Sequence, residues 1–431
     1  MNDSGCRLNS GMHLWKKNLS VVLSLWHHFD MNRLSTRVQK IKPSATLAIT
    51  AKAAEMRAAG RSVISLSVGE PDFDTPLAAR EAGIAAINSG FTRYTAVAGI
   101  PELRQAIAEK FSRDNHMDYS PAEVLVSTGG KQCIFNLLMA VMNPGDHAVI
   151  PSPYWVSYPD MVKLTDGVPI IIPTLAENQF KMSAEQLQAV LVQQPCKVLF
   201  LNSPSNPTGM VYTADELMAI GAVVRHYPDL LVVTDDMYEK IIFDGKPFAT
   251  FAEVNPDLKE QTVTFNGVSK AYCMTGWRIG FCVGPLDIIK AMSKVQGQST
   301  SNPNSIAQKA ALAALKGPTD ALDEMVATYE KRRGWLVHAI NAIAGMHAMM
   351  PDGAFYVFPS VSALIGKKTE SGLVIEDDVA LCEWLLEDSG VALVPGTAFG
   401  APGFVRFSYA VAQETLEDAV SRIAKAVASL R

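Results

Sequence analysis

No two of the six cysteines in this chain of 431 residues stand in a C-x-x-C pair, which removes the usual sequence signature of a zinc or dithiol redox site. Cys6, Cys133, Cys196, Cys273, Cys282 and Cys382 are scattered, mostly in apolar or helical surroundings, and suit a reducing cytoplasm. A basic excess is also missing. Lysines and arginines number 38 against 43 aspartates and glutamates, a net charge of −5. That balance lacks the footprint of a nucleic-acid binder, so any anion must be held by a few placed basic groups. Long apolar runs are absent too. Residues 19–26, preceded by Lys16 and Lys17, fall short of the roughly 20 residues a membrane span needs, and no small-residue cleavage site follows them. Residues 1–30 are expected to be an extension, disordered or from a misassigned start, with amphipathic patterning beginning at Met31. There is no internal repeat and no low-complexity block.

What is present is an ordinary globular composition, 48% hydrophobic and 19% charged, in a chain long enough for two domains. Apolar residues at helical spacing cover about 44–59, and a strand-like run follows at 63–68. Helical stretches then include 77–89, 101–114, 131–142, 183–193 and 213–226. Between them lie short β-branched runs at 124–127, 147–150, 168–172, 198–202, 230–234, 262–265 and 279–283. Such runs between amphipathic helices indicate an α/β fold with a mostly parallel sheet buried on both faces. Ligands collect at the carboxyl ends of such strands. After about residue 305 the texture changes to a long helical stretch, 304–345. It is followed by strands at 354–358, 391–394 and 404–408 and helices at 376–388 and 414–430, an α+β pattern. The expected parts are an extension (1–30), an N-terminal segment packing with the small domain (31–75), a large domain (76–320) and a small C-terminal domain (321–431).

Six constellations carry candidate chemistry. Lys270 lies just past the run 262–265, and a desolvated amine near other cations has a lowered pKa and can form an imine. Arg278, between Gly276 and Gly280, offers a fork for phosphate beside residues that let the backbone approach. Asp235 ends the run 230–234, either as a helix cap or as a carboxylate facing a ligand, and Tyr238 follows it. Asn206 sits in Ser203-Pro204-Ser205-Asn206-Pro207-Thr208-Gly209, a rigid turn after a strand. Gly129-Gly130-Lys131 stands between a strand and a helix, where backbone amides can hold phosphate. Trp155 offers a face for a planar ring or a piece of core. Arg406, a charge inside the apolar strand around 404–408, needs either a ligand carboxylate or an internal ion pair.

In this order these pieces resemble the class I aminotransferases of pyridoxal-phosphate fold type I, from about Arg33 to the C-terminus. The likeness is densest in Ser67-Val68-Gly69-Glu70-Pro71-Asp72-Phe73, in Asn206-Pro207-Thr208-Gly209 and from Ser269-Lys270 to Arg278-Ile279-Gly280. Lys42-Pro43-Ser44-Ala45-Thr46, Gly129-Gly130-Lys131-Gln132 and Ser152-Pro153-Tyr154-Trp155-Val156-Ser157-Tyr158 are similar to the bacterial aspartate aminotransferases. The resemblance implies a large domain with a seven-stranded sheet and pyridoxal 5′-phosphate as cofactor. It makes Lys270 the Schiff-base lysine and proton carrier, and pairs Asp235 with the pyridine nitrogen. Tyr238 and Asn206 go to the ring oxygen, Trp155 stacks on the ring, and Arg278 and the backbone amides at Gly130 and Lys131 take the phosphate. Arg406, helped by the Gly69 backbone, takes the substrate α-carboxylate. The resemblance further implies a cytoplasmic homodimer with shared sites, in which Tyr94 reaches the partner's phosphate.

The implied reaction converts L-aspartate and 2-oxoglutarate to oxaloacetate and L-glutamate. Many relatives clamp the distal carboxylate with an arginine, but residues 295–299 offer none. The subgroup resembled here uses Lys131 and Thr46 instead, both present, and usually has serine where this chain has Gly297. The alternatives are a prephenate or aromatic aminotransferase and a β-lyase on the same fold. A cofactor-sensing regulator would need a DNA-binding module, for which thirty non-basic residues are too short. Small-molecule amino acids and 2-oxo acids are the expected partners, with no metal, nucleic acid or membrane.

Overall fold

The computed structural model describes residues 33–41 and 45–431 and, for residues 45–47, the backbone only. The expectations placed on residues 1–30 and on the Thr46 side chain lie outside the described residues. Contacts divide the chain after Ile41. Before that point the described residues hold one helical turn, Thr36–Gln39, whose Val38 amide donates to Ser35 Oγ at 3.4 Å.

After it, the strands run in chain order as β1 (Ile64–Ser65), β2 (Val124–Ser127), β3 (His147–Ser152), β4 (Val168–Pro173), β5 (Val198–Asn202), β6 (Leu231–Asp235), β7 (Thr262–Gly267), β8 (Gly280–Val283), β9 (Tyr356–Val357), β10 (Val391–Ala392), β11 (Val394–Pro395) and β12 (Val405–Ser408). Seven of them form one sheet in the order β2-β8-β7-β6-β5-β3-β4. The pairs from β4 through β3, β5 and β6 to β7 are parallel, and β8 runs antiparallel to both of its neighbours. This is the mostly parallel, seven-stranded α/β sheet expected.

The period-2 alternation of a strand explains why these runs are apolar throughout. Ala148, Ile150, Val198, Phe200 and Val233 face the helices Gly130–Val141 and Leu286–Ser299 through Ile134, Leu137, Ile289 and Met292. Their neighbours Val149, Leu199, Leu201 and Val232 face the opposite way, onto Leu187, Leu191, Leu217 and Ile220 of the helices Ala184–Gln193 and Ala214–Val224. The C-terminal part packs into a further core that also takes in Leu66, Tyr238, Ile241 and Phe243. Leu336 and Ile340 of the helix Asp320–Asn341 pack there with Phe355, Val357, Phe407, Leu416 and Ile423.

Several elements differ from the expectation. The helical stretch 304–345 breaks into Ser305–Lys316 and Asp320–Asn341, because Gly317 ends one helix and Pro318 has no amide hydrogen to continue it. The run 63–68 shrinks to β1, which pairs in parallel with β10, and 354–358 shrinks to β9. The run 391–394 splits, since β10 pairs with β1 while β11 joins β12 and β9 in a separate antiparallel sheet. The helix Leu286–Ser299 was absent from the expected set. Ala53 and Met56 of the helix Ala45–Ala58 pack on Leu386 and Ala392. Among the described residues no helix is long and apolar enough to cross a membrane.

Candidate active site

Four parallel strands and one antiparallel strand bring their ends to one edge of the sheet. β2 ends at Ser127, β5 at Asn202, β6 at Asp235 and β7 at Gly267. β8 runs the other way, so its start lies at that edge, with Gly280 opposite both Ser127 and Gly267. A cavity of about 360 Å³ opens there, and Lys270, Asp235, Tyr238, Asn206, Arg278 and Arg406 all line it. Gly69, Gly130, Lys131 and Trp155 complete its wall. The sequence scattered these residues over more than 300 positions, and the fold gathers them.

Lys270 follows β7 by three residues, and its Nζ donates to the Gly69 carbonyl. Burial drives its pKa down from 10.5 to about 8, with Glu70 pulling it back up and Arg406 and Arg278 pressing it further down. Asp235 is 8% exposed. The helix-cap alternative fails for it, because the residues after it form turns rather than a helix. The Tyr158 hydroxyl donates to its Oδ2 at 2.5 Å and the Met237 amide to its Oδ1 at 3.3 Å. Burial pushes this carboxyl above the usual range, and the Tyr158 donation, the Met237 amide and Lys270 oppose that rise. Among the described residues no cation forms an ion pair with it, so a cationic group entering the cavity would satisfy a buried acid.

Arg406 is the second residue of β12. Its guanidinium donates to Asn206 Oδ1 at 2.8 Å and to the Ser67 carbonyl at 2.6 Å, and lies 4.6 Å from the Tyr356 ring centroid. The internal ion pair that was its alternative is absent among the described residues, and its buried Nε has no hydrogen-bond partner. Asn206 is buried and held from behind, its backbone N–H donating to Asn202 Oδ1 at 2.9 Å. The Tyr238 hydroxyl lies 2.7 Å from that of Tyr356.

Around Gly130 the backbone forms a cup. Gly129 has φ 87 and caps the helix Gly130–Val141, whose first amides have no carbonyl ahead of them in the helix. A Cβ on Gly129 would collide with the Arg278 guanidinium, and one on Gly280 with the Gly130 amide. Gly276 faces open space, so of the two glycines flanking Arg278 only Gly280 serves a close approach. Arg278 itself sits at φ 57, and its Nη1 donates to the Thr275 carbonyl at 2.8 Å. Left-handed backbone at an arginine is uncommon, and here it swings the side chain toward the cup. Lys131 Nζ lies 4.9 Å from the Trp155 ring centroid, and burial followed by Arg278 lowers its pKa.

Two expected residues stand apart. Tyr94 is 91% exposed and outside this cavity, and the Thr46 side chain is not described. Three functional neighbours were missed by sequence reasoning. Tyr158 and Tyr356 carry hydroxyls that bond to Asp235 and Tyr238, and Glu70 accepts from Thr275 Oγ1 beside Lys270. Glu70 and Tyr158 lay inside quoted motifs, and Tyr356 inside an expected strand, but only folding shows what each touches.

The arrangement is an amine of depressed basicity, a cup of backbone amides, and a buried acid and a buried guanidinium that have no ion-pair partner among the described residues. A family model described as "Aminotransferase class I and II" matches residues 61–423. The aspartate/prephenate aminotransferase of Nitrosomonas europaea is 51% identical over 393 residues, covering 91% of this chain and 99% of the relative. That of Cereibacter sphaeroides is 50% identical over 390 residues, with coverages of 90% and 97%. Among solved structures, the aspartate aminotransferase of Rhizobium meliloti superposes with a TM-score of 0.89 at 46% identity, covering 92% of this chain and 99% of that one. The aspartate aminotransferase of Thermus thermophilus with maleate gives 0.84 at 43% identity, with coverages of 91% and 99%.

Proposed function

The chain belongs to the class I and II aminotransferases, and on that premise we propose that it moves the amino group of L-aspartate to 2-oxoglutarate, giving oxaloacetate and L-glutamate. The family works with pyridoxal 5′-phosphate, and the cavity suits that group. Asp235 is a buried acid with no ion-pair partner among the described residues, and Gly129 and Gly280 let the Arg278 guanidinium and the Gly130 amide come together at one place, where both can donate to an anion. When bound, the cofactor supplies an aldehyde carbon and an electron-withdrawing ring. Lys270 would hold it through Nζ, Asp235 at the ring nitrogen, and Tyr238 and Asn206 at the ring oxygen. Trp155 would lie on the ring face, and the backbone amides of Gly130 and Lys131, with Arg278, on the phosphate.

This chain's residues then divide the remaining work. Lys270 Nζ, with its pKa near 8, is partly neutral at neutral pH and accepts the proton leaving the substrate Cα. The Gly69 carbonyl, which accepts from Nζ, orients that amine. Arg406 supplies its free guanidinium edge to the α-carboxylate, and Asn206 fixes the plane of the fork. Lys131, with Thr46, takes the distal carboxylate of a dicarboxylic substrate. The observation that carries the reading is the buried Arg406 without a carboxylate partner, facing the same cavity as the depressed amine of Lys270.

The exposure of Tyr94 supports a homodimer in which that residue completes the partner's phosphate site. Prephenate as a second amino acceptor is favoured by the names of the relatives about 50% identical to this chain. Purified protein loaded with cofactor should form oxaloacetate and glutamate from aspartate and 2-oxoglutarate. Absence of that conversion, with activity on another donor, would overturn the substrate choice. Replacing 2-oxoglutarate by prephenate tests the second acceptor directly.

A further inference from the structure

Buried residues of the helix Leu286–Ser299 fall at Ile289, Met292 and Gln296, one face of the helix. Two are apolar, and the third is a carboxamide with no exposure at all. An amide so placed is costly unless every polar atom is paired. Here each is. Gln296 Nε2 donates to the carbonyls of Val97 at 2.7 Å and Val126 at 2.8 Å. Its Oε1 accepts from Ser127 Oγ at 2.5 Å and from Asn136 Nδ2 at 3.0 Å. Two donors and two acceptances exhaust what a glutamine side chain normally offers.

The identity of those four partners gives the contact its meaning. Val126 and Ser127 are the last residues of β2 and lead directly into Thr128-Gly129-Gly130. Asn136 lies two turns into the helix whose first amides form the cup. Val97 belongs to the loop that carries Tyr94. A second strut comes from Gln132, which accepts from the Thr128 amide at 2.6 Å and donates to Thr300 Oγ1 at 2.6 Å, one residue beyond the same helix. Gln308 ties down the other side of the Tyr94 loop, through Thr95 Oγ1 at 3.1 Å and the Ile100 amide at 2.7 Å.

We propose that Gln296 is a positioning residue for phosphate binding: its carboxamide locks the Ser127–Gly130 turn and the Tyr94–Val97 loop into one rigid unit. Resting on the cup being the cofactor's phosphate site, the inference adds that the cup's geometry is set from a residue that never touches the anion. The same carboxamide joins the cup of one subunit to the loop whose Tyr94 is turned outward. Loss of the lock loosens backbone donors that must converge on one anion, so it weakens phosphate recognition and leaves the chemistry at Lys270 in place.

The test compares apoprotein titrated with pyridoxal 5′-phosphate and with pyridoxal, which lacks the phosphate. The ratio of the two affinities isolates the cup. Gln296→Leu should reduce that ratio about tenfold, the scale of one or two lost buried hydrogen bonds. Affinity for pyridoxal, and kcat at saturating cofactor, should stay within about twofold of wild type. Ser127→Ala removes only one of the four bonds and should reduce the ratio by about threefold with little effect on folding. It carries the test if the Leu variant does not fold. A lowered unfolding midpoint with an unchanged ratio marks a merely structural glutamine and overturns the proposal, as does an unchanged ratio in Ser127→Ala. If wild-type apoprotein itself binds both compounds equally, it is the assignment of the cup that fails.

Discussion

Arg406 donates to the side-chain oxygen of Asn206 at 2.8 Å, and this neutral partner takes the place a carboxylate would usually hold against a buried guanidinium. The pairing leaves the arginine's charge uncompensated until a substrate arrives. Arg406→Ala should therefore cost about 2–5 kcal/mol of transition-state binding, roughly 30- to 5000-fold in kcat/KM, the range for truncating a buried charge that meets its counter-ion. Steady-state kinetics with aspartate would show it, with cofactor absorbance retained. A change below threefold would remove Arg406 from the substrate's path.

Tyr158 tests the setting of Asp235. Its hydroxyl donates to Asp235 Oδ2 while its ring stacks on Phe200 with centroids 4.7 Å apart, so Tyr158→Phe keeps the packing and removes one donor. That donation lowers the Asp235 pKa against the rise from burial, so its loss makes the carboxylate easier to protonate. A protonated Asp235 no longer supports a cationic ring nitrogen. The variant should lose about 1–2 kcal/mol, roughly tenfold in kcat, with the acid limb of its pH profile moved to higher pH. An unshifted limb would contradict the role.

Capture of the cofactor by apoprotein should report the depressed amine. Only the neutral Nζ reacts, and the Lys270 pKa is lowered from 10.5 to about 8. The rate of capture should climb with pH through about 8 and then level off. An ordinary lysine would keep gaining toward 10.5. Stopped-flow absorbance across that range gives the midpoint, and one near 10 would mean an undisturbed, solvated lysine.

Asp236, next to Asp235, predicts a stability effect. It is buried, accepts from Thr234 Oγ1, and leaves Oδ2 without a partner. Burial first pushes its pKa up to about 8, opposed by the hydrogen bond from Thr234, by the nearby Thr250 hydroxyl and by Lys110, while Glu239 adds to the rise. Because the folded value is raised, the native state holds a proton that the unfolded state gives up above about pH 4. Stability from this group is complete below that pH and is lost as pH rises toward 8. Asp236→Asn mimics the protonated acid, so its urea midpoint should gain on wild type between pH 5 and pH 8. A constant difference across that window would refute the assignment.

Much of this was readable before folding, and the reasons differ by residue. The parallel sheet showed because strands buried on both faces carry unbroken apolar runs, as in β5 and β6. Lys270, Asp235 and Asn206 showed because each stands just past such a run. The helix Leu286–Ser299 escaped because its buried face is short and its third buried position is the polar Gln296. β1, β9, β10 and β11 have two residues each, too short for alternation to register, and their pairing depends on partners distant in sequence. Tyr158, Tyr356 and Glu70 act through contacts with residues distant in sequence, and a local pattern does not encode such contacts. Arg278 was legible as a phosphate candidate, yet its left-handed backbone and the idle Gly276 were not.

In the proposed function Lys270, and no other lysine, holds the cofactor. Borohydride reduction of the protein loaded with pyridoxal 5′-phosphate, followed by peptide mass spectrometry, tests it in one measurement. A single phosphopyridoxyl label is expected on the peptide containing Lys270, and none on Lys131 despite its place in the same cavity. A label carried by Lys131 or another lysine, with the Lys270 peptide unmodified, would contradict it.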